Sequence, residues 1–475
     1  MLILNLSQLS CKDVMQAYIQ RSQQVHPYIN AVTDARYVEA LQDAVAVDKF
    51  LERGEKTEDE IARDTPLLGV PFSCKESLGV KGLFQTAGLV TAKGHVAEVD
   101  CDAADFYRKA GAIPVTVSNV SEICLWWDSY NHVYGSTNNP YGNDGIAGGS
   151  SGGEASLIGS AGAVIGIGTD IAGSIRIPAS FCGIYGHKPS RGIVSNWGTF
   201  PHCQMTPEKK DVRPIVTFIS TGPMCRYVED LPLLLKVLSN YDKRIKLDKK
   251  VDFRKVKVYF MTEIPGLNNG ARTDIKNAVT KAAKYFEDAF DVIATPLSIT
   301  EMKHGLDIFS AKMKEVGASP VKTSLSYGKG SINVWWEIFK SIFRLSNHTF
   351  PLLLLSAIGL PEKDNKYYDT LEKCKKLQEK FEDIFQEDAI VLLPTYPETV
   401  PRNYLSFHKG NNFGYDCVFN ILGFPSTSVP AGFSEGFPIG VQVVSGQFKD
   451  HITIAAAQEL DKVFGGWKSP CPIKA

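Results

Sequence analysis

The residues best suited to chemistry lie in two places. Ser150 and Ser151 stand between the pairs Gly148-Gly149 and Gly152-Gly153, and Ser174 follows Ile171-Ala172-Gly173. Lys75 ends the apolar run Leu67 to Cys74 and precedes Glu76. A serine hydroxyl is a weak nucleophile until a base takes its proton. A lysine can be that base when burial lowers its pKa, in extreme cases to ~5–6. A glycine turn before Ser174 lets backbone N–H groups converge beside its hydroxyl, which is how an oxyanion hole is built. Each feature also has a plainer reading. A single lysine more often snorkels to the surface or pairs with a neighbour such as Glu76, and serines among glycines often satisfy only local backbone groups.

The elements that must position these groups can be read from the pattern. Gly148 to Gly192 holds twelve glycines and seven serines in forty-five residues, yet it also carries Ala163 to Ile167, Ile175, Ile177 and Phe181. A flexible linker needs no such apolar block, so the stretch reads as buried backbone passing close to other segments. Leu67 to Cys74 has strand character that delivers Lys75 at its end. Ala103 to Ala110 predicts a helix that leads through Gly111 into a strand ending at Val117, the alternation of an α/β layer. Ser10 caps a helix expected to end near His26-Pro27, Ala40 to Leu51 predicts a second, and Glu52 to Arg63 reads as a solvated loop. Later helices are expected over Val228 to Leu238, Asp274 to Phe290 and Asp364 to Glu387. Strands are expected at Val256 to Met261, Val292 to Ala294, Ala389 to Leu393 and within Ser428 to Val444. Glu122 to Tyr141 is rich in aromatic residues, which either wall a pocket or pack in the core.

Composition narrows the field. With 475 residues, 44% hydrophobic and 22% charged residues and a formal net charge of −1, the chain has the make-up of a soluble globular protein. It has no field to draw nucleic acid or acidic lipid. Ten cysteines are scattered without a C-x-x-C pair, which argues for reduced, mostly buried thiols over zinc or a disulfide framework. The opening MLILNLSQLSCKD is too short in its apolar part for a signal peptide or a span. A cytoplasmic location is therefore the expectation, and the sequons at Asn5, Asn119 and Asn347 read as chance matches.

Three competing motifs fail on context. Gly149-Ser150-Ser151-Gly152-Gly153 matches the G-x-S-x-G elbow, but turn residues, Asn138 to Ala147, replace the strand that must precede it. A Walker loop at Gly328-Lys329 lacks its first glycine, where Thr323 stands, and a dinucleotide fingerprint at Gly166-Ile167-Gly168 has Ile171 in place of glycine.

Taken together, GVPFSCKES (69–77), the Gly148–Gly192 block, NILGFPSTSVPAG (420–432) and a late Pro438 to Gln442 turn resemble the amidase signature family. Within it YGSTNNPY, GGSSGGEAS, GTDIAGSIRIPASFCGIYGHKPS and FGGW are similar to the fatty-acid amide hydrolases, the second vertebrate type and its invertebrate relatives above all. The resemblance implies Lys75 as base, Ser150 as a bridging serine on a cis peptide and Ser174 as nucleophile. It assigns the N–H groups of Ile171, Ala172, Gly173 and Ser174 to the oxyanion hole, and Asp170 and Arg176 to its support. Substrate contacts are expected from Cys124, Leu125, Ser151, Trp335, Trp336 and Phe339. Metal ions and organic cofactors are not required, and the expected partner is a lipid amide. Peripheral contact with intracellular membranes and a homodimer are left open.

The implied fold is one α/β/α domain over residues 1–475, a central twisted mixed sheet surrounded by helices. Its catalytic core is expected at about 65–230 and 389–465, with an apolar insertion at about 331–360. Two departures stand out: Ala172 replaces a usual glycine, and Cys74 a usual aliphatic residue. The transmembrane segment typical of these hydrolases is also not seen. Ile332, Trp335, Trp336, Phe339, Ile342 and Phe343 recur at helical spacing. Such a stripe most commonly packs into the core; otherwise it lines an acyl channel or lies at a membrane surface. Two alternatives remain at this stage. One is a small-amide amidase or glutamine-hydrolysing amidotransferase subunit of the same fold, against which the apolar 331–360 segment argues. The other is a catalytically silent lipid-binding protein.

Overall fold

The computed structural model describes residues 9–201, 214–267, 270–403 and 412–472. Asn5, Cys203 and most of the stretch between Pro201 and Pro214 lie outside them. The strands are β1 Val32–Ala35, β2 Pro71–Lys75, β3 Ile113–Ser118, β4 Tyr130–Asn131, β5 Gly135–Ser136, β6 Asn138–Asn139, β7 Gly142–Ile146, β8 Ile165–Asp170, β9 Tyr185–Lys188 and β10 Ser220–Cys225. They continue with β11 Lys257–Phe260, β12 Ala294–Pro296, β13 Ala389–Pro394, β14 Ser426–Ser434 and β15 Phe437–Val444.

Among the described residues eleven strands form one mixed sheet, ordered β1-β3-β2-β8-β10-β9-β14-β15-β13-β11-β12, while β4–β5 and β6–β7 are separate short pairs. Lys75 and Asp170 end neighbouring parallel strands: Cys74 in β2 lies opposite Ile167 in β8, so the next residue of β2 reaches toward Thr169.

Alternation along the strands shows how the sheet is covered. In β13, Ile390 and Leu392 pack with the helices Asp102–Lys109, Leu231–Leu238, Thr273–Phe290 and Asp450–Phe464. Ala389, Val391 and Leu393 pack with Gly305–Glu315, Asn365–Ile384 and Gly414–Leu422. Successive side chains point to opposite faces, so helices lie on both sides of the sheet, as the α/β pattern implied.

Several expectations shift. The first helix, Cys11–Ile29, carries Pro27 inside it and stops at Asn30, whose φ of 46° is left-handed. The charged run read as loop contains the helix Glu58–Asp64, opened by a Thr57–Glu60 capping box. Pro438 to Gln442 lies inside β15 rather than in a turn. The second strand of the 256–294 region begins at Ala294, where Val292 was expected to start it. Eight of the nine described cysteines are buried and all are free, and the Asn119 sequon is fully buried.

The apolar stripe is not core. The helices Val334–Ile342 and Phe350–Ile358 and the segment between them leave Trp335 74%, Trp336 56%, Phe339 50%, Ile342 71%, Phe343 60%, Leu345 69% and Ile358 71% exposed. Burying a large apolar side chain stabilises by roughly 1.5–3 kcal/mol, so a contiguous set left in water marks a contact surface. Among the described residues no helix is long and apolar enough to cross a membrane.

Candidate active site

β2 is buried along its whole length, and its last residue, Lys75, is fully buried. The side chain neither reaches solvent nor pairs with Glu76. Glu76 instead accepts from Thr86 N (2.6 Å), Thr86 Oγ1 (2.6 Å), Ala87 N (2.7 Å) and the Tyr134 hydroxyl (3.2 Å). Lys75 Nζ lies 2.7 Å from Ser150 Oγ, 2.8 Å from Thr169 Oγ1 and 3.2 Å from the Thr169 carbonyl. Burial lowers its pKa, opposed in part by Cys124, Asp170 and Glu154. Glu154, held by Ser73 and by Ser118 at 2.6 Å, is itself pushed up to about 7 by burial.

Ser150 follows a cis peptide bond from Gly149 and is 1% exposed. Its loop is pinned by Ser129, whose hydroxyl donates to the Gly148 carbonyl (3.0 Å) and accepts from Gly152 N–H (2.9 Å). At Gly153 even a methyl group would meet the Asn119 backbone at 2.4 Å, which is why the stretch needs glycine. Ser151 N–H donates to the Ser174 carbonyl (3.2 Å), bringing the two serine loops together, and the Ser151 hydroxyl turns to the Thr169 carbonyl (3.4 Å). Ser174 is 6% exposed, and among the described residues its hydroxyl makes no hydrogen bond.

The turn before Ser174 is built on Asp170. Its carboxylate accepts from Gly173 N–H (2.8 Å) and Ile175 N–H (3.1 Å), and Arg176 grips it through Nε (3.0 Å) and Nη2 (2.9 Å). Burial alone would raise the Asp170 carboxyl, but the Arg176 charge and hydrogen bonds outweigh it and hold the group below the usual carboxylate range. Gly173 has a φ of 110°, where an added Cβ would strike Ile177 and Asp416. Ala172 stays out of the left-handed region, so its methyl group causes no strain. The Gly173 N–H, expected among the hole donors, is thus already engaged. Among the described residues the N–H groups of Ile171, Ala172 and Ser174 have no internal partner.

Arg176 also reaches Asn420 Oδ1 (2.7 Å), Gln442 Oε1 (3.1 Å), the Asp416 carbonyl (3.2 Å) and the Asp416 carboxyl (3.1 Å). Burial pushes that second carboxyl well above its ordinary range. The NILGFP and late-glutamine motifs place Asn420 and Gln442 as motif residues, but no spacing rule reveals that they meet Arg176.

Among the described residues His187 does not build a serine–histidine centre. His187 bonds Thr427 (2.8 Å) and Asp450 (3.2 Å), while Ser190 donates to Asp450 (2.6 Å) rather than to the imidazole, and all are buried. A Ser-His-Asp triad requires the serine on the histidine.

Of the expected substrate contacts, Cys124 ends the short Glu122–Cys124 turn and is 8% exposed. Leu125 packs at the edge of the cluster that includes Leu352. Trp335, Trp336 and Phe339 face outward on the surface helix.

The amidase family model matches residues 13–454. Fatty-acid amide hydrolase 2-A of Danio rerio is 37% identical over 96% of this chain and 86% of its own length. Fatty-acid amide hydrolase 2 of Homo sapiens is 38% identical over 97% of this chain and 87% of its own. A solved fatty acid amide hydrolase superposes with a TM-score of 0.75 at 20% identity, covering 96% of this chain and 83% of that one. The chain belongs to the amidase family and is a hydrolase acting on amide bonds.

Proposed function

We propose that this chain hydrolyses fatty-acid amides, and related esters secondarily, through an acyl-enzyme on Ser174. One observation carries the chemistry: a fully buried lysine, without an ion-pair partner among the described residues, sits 2.7 Å from the Ser150 hydroxyl beside the Asp170–Ser174 turn. In its neutral form Lys75 keeps two N–H bonds for the two Thr169 oxygens and turns its lone pair to the Ser150 proton. Ser150 then takes the proton of Ser174 as Ser174 Oγ attacks the carbonyl carbon. The oxyanion falls to the N–H groups of Ile171, Ala172 and Ser174, and loss of one such donor typically raises the barrier by about 2.7–4 kcal/mol. The proton returns through Ser150 to the departing amine, which leaves poorly unless protonated. Water adds to the acyl ester by the same relay and frees the fatty acid. Labelling with a fluorophosphonate, followed by mass mapping, should place the modification on Ser174; modification of Ser151 would restore the elbow reading.

The sign of the pH dependence follows from Lys75. The working form is the neutral amine, and burial lowers the pKa at which it appears. kcat/KM is expected to rise with pH along a limb centred below the ordinary lysine value of about 10.4. Lys75→Ala should lose both the limb and most of the rate. A variant that keeps the wild-type limb removes Lys75 from this role.

The lipid half of the reading rests on the exposed apolar helix pair. Tryptophans prefer the membrane interface, and Trp335 stands 74% exposed beside Trp336 at 56%. Changing both to serine is expected to weaken vesicle binding and long-chain turnover at least fivefold while a short soluble amide is spared. Equal losses on both substrates, with a lower Tm, would assign the pair to folding alone.

A further inference from the structure

The apolar helix pair and the serine–lysine site are joined by one buried carboxylate. Glu122, 1% exposed, accepts from Thr349 N–H at the start of the Phe350–Ile358 helix (2.7 Å) and pairs with His348 Nδ1 (2.8 Å). His348 N–H donates to Ser346 Oγ (3.1 Å), and that hydroxyl donates to Glu337 on the Val334–Ile342 helix (2.8 Å). The Ser346 carbonyl lies 3.1 Å from His132 Nδ1 on the neighbouring segment. Both helices of the exposed pair are therefore tied to Glu122 through polar contacts in a region where an unmet carboxylate would be costly.

On its other side Glu122 opens a strained turn. Ile123 has φ 46° and Cys124 φ 58°, two consecutive left-handed residues without a glycine. A β-branched residue there is a rare outlier, and such a conformation persists only where its surroundings enforce it. Three contacts enforce it here. Ile123 N–H donates to the Ala87 carbonyl (2.8 Å), Cys124 N–H to the Ser121 carbonyl (2.8 Å), and Ile123 packs in one apolar cluster with Leu352 of the Phe350–Ile358 helix. The turn then reaches the site at the Ser150 loop. The Ser121–Asp128 segment closes on Gly149, where an added Cβ would fall 2.6 Å from the Trp126 carbonyl and 2.7 Å from Ser121 Oγ.

We propose that Glu122 is a positioning residue that transmits the seating of the apolar helix pair to the serine–lysine site, by holding the Glu122–Cys124 turn in its left-handed form. Loosening the helix pair relaxes the turn and removes the backing of Gly149-Ser150. Occupation of the apolar surface by lipid does the opposite and firms the wall of the site. The consequence for acyl chains rests on the fatty-acyl reading above; the joint itself does not.

The test perturbs one end and reads the other. His348→Ala removes the helix-pair side's imidazole from Glu122 and leaves the residues of the Glu122–Cys124 turn unchanged. Hydrogen exchange of the peptide covering 121–126 should then accelerate at least tenfold, because the Ile123 and Cys124 amides lose their enforced geometry. Unchanged exchange there overturns the proposal whatever the substrate proves to be. In kinetics, His348→Ala should lower kcat/KM for a long-chain amide about tenfold and for a short soluble amide less than threefold. Glu122→Gln keeps an acceptor for Thr349 N–H and protects folding, and should fall between wild type and His348→Ala. The double variant should be no worse than the poorer single one, since both cut the same joint. Multiplying losses, or equal losses on both substrates tracking Tm, overturn the coupling. A wild-type enzyme indifferent to chain length would overturn the fatty-acyl reading and leave the exchange result to decide the joint.

Discussion

Ser174→Ala is expected to remove amide hydrolysis by about 10⁴- to 10⁶-fold, the range seen when a serine hydrolase loses its nucleophile. The protein should stay folded, because the Ser174 hydroxyl holds no structural hydrogen bond among the described residues, while its backbone carbonyl, which accepts from Ser151 N–H, is untouched. Steady-state rates with a long-chain amide, circular dichroism and fluorophosphonate labelling measured together decide it. Ser150→Ala should cost less, since a water can stand between Lys75 and Ser174, but more than any surface change. A Ser174→Ala enzyme retaining even a hundredth of the rate would place the nucleophile elsewhere.

The largest stability effect is expected at Arg176. Its guanidinium is fully buried and serves Asp170, Asp416, Asn420 and Gln442 at once. Removing one partner of a buried ion pair costs about 3–5 kcal/mol, because the other charge is left without compensation. Arg176→Ala should lower the urea midpoint by a corresponding amount and release the Asp170 carboxylate that shapes the turn before Ser174. Arg176→Lys should rescue little: a single ammonium cannot reproduce a planar fork with partners on three sides. An unchanged midpoint would mean that the network contributes nothing to folding.

How much of this was legible in the residues depends on the length scale of each signal. Lys75 could be found because an apolar run ends on it, and Ser150 and Ser174 because glycines crowd them. The strand alternation in 67–117 and 389–444 and most helices carried periodicities that survive in the structure. The Glu58–Asp64 helix was missed although Thr57 and Glu60 spell a capping box, because the charges between them suggested solvent. Pro27 reads as a stop, yet the helix runs through it and ends three residues later at a left-handed asparagine. The stripe at 332–343 showed which residues share a face; periodicity does not say what that face meets. Glu122 and His348, separated by 226 positions, leave no trace of each other in the chain, and neither do Arg176 and its distant partners.

The reach of Arg176 has a bearing on how the protein comes into being. Its contacts to Asn420 and Gln442 span 244 and 266 positions. At translation rates of about 5–20 residues per second, roughly 13–50 s separate synthesis of the arginine from that of its last partner. Throughout that interval a nascent chain already contains Arg176 and its partner Asp170 but lacks the full set of Asp416, Asn420 and Gln442, which completes the buried network beneath the turn before Ser174. The support of that turn is therefore completed only when the Phe437–Val444 strand, which carries Gln442, has entered the sheet.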